Sequence, residues 1–147
     1  MATVRDLLKI KGAQVWSVGP ETSVLEALVL MAAKNVGALV VMDGDQLAGI
    51  ISERDFARSI AGVGRCLIEN PVKEFMTKEV FTVNPDMLSE ECMVLMTHKK
   101  IRHLPVMAEN KLVGLISIGD VVKAEISSKD STINSLENYI QGTDYNR

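Results

Sequence analysis

The chain contains one unit twice. Slid over itself by 65 residues without a gap, Val15–Arg58 meets Val80–Lys123 with 16 identities in 44 positions. The matches include Pro20 with Pro85, Met31 with Met96, Gly49 with Gly114, Ser52 with Ser117 and Asp55 with Asp120. A repeat constrains the fold more than any single motif, because what one copy forms the other forms too. A unit of about 60 residues has a marginal core and a sheet face that must be covered. Two copies can cover each other through equivalent surfaces, which predicts an internal pseudo-twofold and a cleft that exists in two versions.

Each copy has the same internal order. A short alternating segment ends at Pro20 or Pro85, where proline stops a strand. A helix follows, with Val24, Ala27, Leu28, Met31 and Ala32 spaced as a buried stripe and Cys92, Met93 and Met96 in the matching places. Ser23 with Glu26 predicts a capping box, whereas the second copy has Leu88 at that position. "ALVVM" and "HLPVM" then lie across short polar turns from "LAGII" and "LVGLI", a β-hairpin in each copy. Pro105 predicts an edge or irregular strand. A last helix starts after each Ser-x-x-Asp. The fold class is α+β: two tandem β-α-β-β-α repeats with pseudo-twofold symmetry.

The boundaries follow from this order: a first repeat over 1–61, a linker with a lead-in helix over 62–79, a second repeat over 80–126, and a C-terminal helix and tail over 127–147. "VRDLL" at 4–8 and "VKEFM" at 72–76 share a pattern, so each copy is expected to have its own lead-in. Ile133, Leu136 and Ile140 fall at helical spacing, predicting a helix to about Gln141 and then a loose tail.

"GIISERD" and "GLISIGD" close the two hairpins. Ser-x-x-Asp is a helix cap in which hydroxyl and carboxylate serve free backbone N–H groups. It is also chemistry that a ligand can use. A helix N-terminus with a hydroxyl and Arg54 beside it suits phosphate, whereas an aspartate repels phosphate and accepts hydrogen bonds from a sugar diol. Spacing leaves cap and ligand readings both open. The second copy carries the basic stretch "THKKIRH" at 97–103 where the first has "AAKNVGA".

With these residues in place the chain resembles the paired cystathionine-β-synthase (CBS) domains, two of which form a Bateman module, from roughly Thr3 to Lys123. The resemblance rests on the two Gly-h-h-Ser-x-x-Asp closings, the two lead-ins and "IRHLPVM". It implies binding of adenosine-containing ligands between the repeats: AMP, ADP or ATP first, NAD or S-adenosylmethionine behind them, with no cofactor required. Carried over, it implies that Asp55 and Asp120 hold ribose, and that Ser52, Arg54 and Ser117 face phosphate. Val15, Ser17, Val80 and Thr82 would line the base pockets. Arg102 and His103 would add a basic phosphate contact, and Val36, Gly37, Ile101 and Pro105 apolar or backbone walls. Gly119 stands where the first copy has Arg54, so the second site is expected to draw on Lys99, Lys100 or Arg102 instead, and the two sites are expected to differ in affinity, as far as one of the two standing empty. The resemblance also implies a disc-like homodimer.

The remaining composition narrows the function. A formal charge of −3 and 4% aromatic residues give neither the pull nor the stacking surface for nucleic acid. The charged start "MATVRDLLKIKG" and the lack of a long apolar run predict a cytoplasmic chain without a membrane partner. Cys66, Cys92, His98 and His103 form no metal pattern, and no nucleophile and base pair points to catalysis. The expected function is a stand-alone nucleotide or metabolite sensor acting on a regulated protein that the sequence does not identify. The alternative is a structural or protein-interaction homodimer with degenerate nucleotide sites.

Overall fold

The first helix, α1 (Val4–Lys11), is held by a capping box in which Thr3 and Asp6 serve each other's backbone N–H groups. The computed structural model describes the backbone of residues 1–141 and the side chains of residues 1–129. After α1 come β1 (Ser17–Val18), α2 (Val24–Lys34), β2 (Ala38–Asp43), β3 (Gln46–Ser52) and α3 (Glu53–Val63), the expected β-α-β-β-α order. A 3-10 turn at Val72–Glu74 leads into α4 (Ser89–Lys99), β4 (His103–Ala108), β5 (Lys111–Ser117) and α5 (Ile118–Gln141). The final helix of the second repeat and the expected terminal helix are one continuous element. The side chains of Ile133, Leu136 and Ile140, and the tail beyond Gln141, lie outside the described residues.

Both hairpins have the same register, with a bulge at Val41/Met42 and again at Val106/Met107. Their two-residue turns use positive φ, at Gly44 (61°) in one and at Glu109 (51°) and Asn110 (64°) in the other, which matches the twist of the flanking strands. One expected strand does not form. In the first repeat the Val40 N–H donates to the Trp16 carbonyl at 3.4 Å, and β1 pairs parallel to β2. Pro105 stands at the counterpart of Val40 and has no N–H to give, so a single Val83–Val106 bridge remains. The segment before Val83 is thereby released from the sheet.

Two cores follow from the two stripes. Val24, Ala27 and Met31 are buried with Leu39, Val41, Ile51 and Phe56. Cys92, Met96, Leu104, Val106, Ile116 and Val121 form the second. Leu28 is half-buried, and Ala32, expected in the stripe, is exposed. Ser23 accepts from the Glu26 N–H at 3.1 Å, which is half of the expected box, and Leu88, at the N-cap of α4, gives no side-chain cap.

The lead-ins are exchanged. Val4 and Leu7 belong to the second core, and Val72 to the first. The backbone contacts repeat in register: Val4 N to Met87 O and Val72 N to Thr22 O, both 2.8 Å, then Arg5 N to Pro85 O and Lys73 N to Pro20 O. Gly49 and Gly114 let these segments approach. A Cβ at Gly49 would lie 2.7 Å from Met76 Sδ and 2.8 Å from the Thr77 carbonyl, and one at Gly114 would lie 2.6 Å from Leu8 Cδ2. So the lead-in expected to belong to each copy seats on the other. The pairing could not be read from "VRDLL" and "VKEFM", because short amphipathic segments carry no address.

Candidate functional site

The cap at the first motif is made in full. Asp55 N donates to Ser52 Oγ at 3.1 Å, while Ser52 N and Ser52 Oγ donate to Asp55 Oδ2 at 3.1 and 3.0 Å. This uses one carboxylate oxygen. Asp55 Oδ1 makes no hydrogen bond among the described residues. Cap and ligand roles therefore fall on different atoms of Asp55 and are compatible. Ser52 is more constrained, since its one hydroxyl proton already goes to the carboxylate.

Asp55 opens onto a cavity of about 490 Å³ between the repeats, a size suited to a small-molecule ligand. The first repeat supplies Gly37, Ile50, Ser52, Glu53, Arg54, Asp55 and Arg58. The second supplies Val80, Phe81 and the run Lys99 to His103, with Thr77 and Glu79 from the segment between. Gly37 is drawn to the motif because the Glu53 N–H donates to its carbonyl at 3.1 Å. Five cationic side chains, Arg54, Arg58, Lys99, Lys100 and Arg102, line this cavity against three carboxylates. None of the five is ion-paired among the described residues. A smaller hollow of about 290 Å³ continues from it past Arg54, Lys100 and Arg102.

Lys99 to His103 of the basic stretch, expected at the second motif, line the cavity at the first. The reason is the packing of β4. The Arg102 carbonyl accepts from Ile118 N at 2.8 Å and His103 pairs with Ser117, so their backbone is tied to the second motif while both residues line the cavity at Asp55. Lys100 caps α4 with φ of 56°, a left-handed conformation that its counterpart Asn35 (54°) adopts more readily.

Of the residues singled out in the sequence, ten line one cavity: Gly37, Ser52, Arg54, Asp55, Val80, Lys99, Lys100, Ile101, Arg102 and His103. Val15, Ser17, Val36, Thr82 and Pro105 do not line it. Ser17 is exposed in β1 and Pro105 is buried in β4. The second motif differs. Ser117 N donates to Asp120 Oδ2 at 2.8 Å, and the same oxygen takes Lys11 Nζ at 2.6 Å. Burial would raise the Asp120 carboxyl, but the Lys11 ammonium and the Ser117 groups outweigh it and hold it below the usual carboxylate range.

Phe81 is the functional candidate that the sequence reading passed over. It is 42% exposed, lines the cavity, and has Lys99 Nζ 5.1 Å from its ring centroid. Its counterpart Trp16 lies under Lys34 at 4.3 Å. The signal was an aromatic residue at the same place in "VWSVGP" and "VFTVNP". His103, half-buried between the motifs, is pushed below its ordinary value by burial, with Lys11 and Arg102 adding to the effect and Asp120 and Asp55 opposing it. Among the described residues no group of three or more His, Cys, Asp and Glu is placed to hold a metal, and no helix is long and apolar enough to cross a membrane.

A family model described as the CBS domain matches this chain twice, over residues 4–62 and 72–127. A mitochondrial CBS domain-containing protein of Arabidopsis thaliana is 40% identical over 150 residues, covering 95% of this chain and 72% of that protein. A crystal structure of a CBS-domain containing protein from Agrobacterium tumefaciens superposes with a TM-score of 0.82 at 40% identity, over 84% of this chain and 99% of that one. The CBS domain pair of protein MJ0100, solved in complex with 5′-methylthioadenosine and S-adenosyl-L-methionine, shares the fold with a TM-score of 0.77 at 22% identity, over 87% and 98% of the two chains.

Proposed function

Because the chain belongs to the CBS domain family and carries that domain as a tandem pair, we propose that it is a regulatory module whose cleft binds a phosphate-bearing adenosine ligand: AMP, ADP or ATP. One observation carries the reading. A carboxylate oxygen that has no hydrogen-bond donor among the described residues, Asp55 Oδ1, and five cations that form no ion pair among them line the same cavity. The carboxylate suits a ribose diol, the cations suit phosphate, and Phe81 offers a ring face to the base. S-adenosylmethionine, a sulfonium cation without phosphate, suits this charge pattern less well.

Binding in this cleft joins the repeats and selects one arrangement of them, which a partner protein or a second copy can read. Val29 and Val94, at matching positions on α2 and α4, are 59% and 58% exposed, which supports a homodimer with both repeats in its interface. Sedimentation equilibrium tests that part. We place the protein in the cytoplasm; fractionation tests this, with the mitochondrion, where the Arabidopsis relative resides, as the contrary outcome.

The decisive experiment is isothermal titration of AMP, ADP, ATP, NAD and S-adenosylmethionine into the wild type, Asp55→Ala and Arg102→Ala. The phosphate-bearing ligands bind the wild type, Asp55→Ala loses them, and Arg102→Ala weakens ATP more than AMP. Binding that survives Asp55→Ala overturns the assignment of the site. Binding of none of the five leaves the interaction homodimer with degenerate sites as the function.

A further inference from the structure

The two lead-ins align with an offset of 68, as their matching backbone hydrogen bonds require: Val4 with Val72, Leu8 with Met76, and at the end Lys11 with Glu79. The last pair is opposite in sign, and each residue stands at one Ser-x-x-Asp motif. Lys11 Nζ donates to Asp120 Oδ2 at 2.6 Å and to the Leu115 carbonyl at 2.8 Å. The counterparts of these two partners, Asp55 and Ile50, both line the open cavity in the first repeat. The ammonium thus fills the space between strand end and motif carboxylate that is open at the first motif. Glu79 lines that open cavity and cannot pair with a carboxylate.

We propose that the residue ending each lead-in is a gate on the motif of the repeat that it packs against, so that Lys11 closes the second motif, Glu79 leaves the first open, and each chain binds one nucleotide. Lys11 neutralises Asp120 from the side of its cap oxygen Oδ2 and occupies the space a sugar diol would need, and a diol carries no charge with which to compete. The pair is only partly exposed, with side-chain exposures of 33% and 22%, so water screens it weakly. The second motif is then a fastener for α1. This rests on the reading that Asp55 anchors the nucleotide, and its test is built so that the two can fail separately.

The probe is ATP, titrated into wild type, Lys11→Met, Lys11→Ala, Lys11→Ala/Asp120→Ala and Glu79→Lys, each checked for folding by circular dichroism. Wild type takes one equivalent per chain. The Lys11 variants take a second, weaker one that disappears in the double variant, and Glu79→Lys weakens the first at least tenfold by presenting an ammonium to Asp55. Lys11→Met keeps the aliphatic stem in case Lys11→Ala loosens α1. In parallel, ¹³C-carboxyl NMR follows Asp120, whose titration midpoint rises when Lys11 is replaced. Two equivalents in wild type, or one in folded Lys11 variants, overturn the gate. An unmoved Asp120 midpoint overturns it whether or not ATP binds. If wild type binds no ATP, the gate is judged by that midpoint and by any Asp120-dependent binding gained in Lys11→Met, while the cleft reading is decided by the full set of titrated ligands.

Discussion

Replacing Gly49 and Gly114 by alanine adds the same methyl group at equivalent positions against unequal obstacles. At Gly49 the new Cβ lies 2.8 Å from the Thr77 carbonyl, a backbone atom, and 2.7 Å from Met76 Sδ. At Gly114 its near neighbours are the methyl groups and Cγ of Leu8, the far part of a side chain that can rotate. Overpacking costs about 1–3 kcal/mol, and alanine returns about 0.4–1 kcal/mol by stiffening the unfolded chain. At Gly114 the Leu8 side chain can yield, which keeps the overpacking in the lower half of that range, and the net loss is about 1 kcal/mol. At Gly49 the Thr77 segment must move, and the hydrogen bonds Ile50 N to Thr77 O (3.1 Å) and Thr77 N to Ile50 O (2.9 Å) weaken with it. At about 1 kcal/mol each they bring the loss to roughly 3 kcal/mol. The difference of about 2 kcal/mol appears in urea unfolding as a lower midpoint at unchanged slope, and as roughly 4–8 °C in melting temperature for a chain of this size. Thr77 and Glu79 also line the cavity, so Gly49→Ala weakens ATP binding and Gly114→Ala does not. Equal destabilisation, or a larger loss at Gly114, would refute the account of how the lead-ins are seated.

Three further outcomes are expected. Lys100→Asn relieves a left-handed lysine and stabilises the protein by about 0.5–1 kcal/mol in urea unfolding, while ATP affinity falls severalfold; unchanged affinity would remove Lys100 from the phosphate end. Cys66 is exposed, whereas burial, with Glu91 adding to it, pushes the Cys92 thiol up to about 11; a disulfide reagent at neutral pH should titrate one thiol quickly and the other only in denaturant, and two fast thiols would contradict the packing of α4. His103 faces Lys11, Asp120, Arg102 and Asp55 and binds its proton less readily when folded than at its ordinary value of 6.5. As pH falls below about 6.5 the unfolded chain takes that proton first, so stability is lost from there down to the folded-state value. His103→Gln should lose less stability than the wild type between pH 7 and 5, and parallel curves would refute the burial of His103.

What the sequence disclosed was local or periodic. The ungapped repeat gave the element order, both hairpins and the stripes at Val24 and Cys92, because each depends on neighbours a few residues apart. The Ser-x-x-Asp boxes were legible for the same reason. Three features were not. The exchange of lead-ins depends on which of two similar surfaces a short amphipathic segment meets. Lys11 reaches Asp120 across more than a hundred residues of sequence, and no spacing rule joins them. The basic stretch at 97–103 leads in sequence to the second motif, but there the backbone of Arg102 and His103 is tied to that motif while Lys99 to His103 line the cavity at the first. Pro105 did announce irregularity, and the strand missing from the second repeat is the form that the irregularity takes.

The exchange also sets a timetable. A ribosome delivers α1 well before its seat, which is built from Met87, Leu104, Ile116 and Val121, the last of them 114 residues after Leu7. At about 5–20 residues per second, Val4 and Leu7 wait on the order of ten seconds in water with nothing to pack against. The second lead-in emerges directly after the repeat that receives it and can dock at once. The first repeat can therefore mature as soon as its own lead-in emerges, while the second is completed by α1, made ahead of both repeats. A nascent chain halted after the first repeat would carry α1 exposed, ready to bind whatever apolar surface it meets.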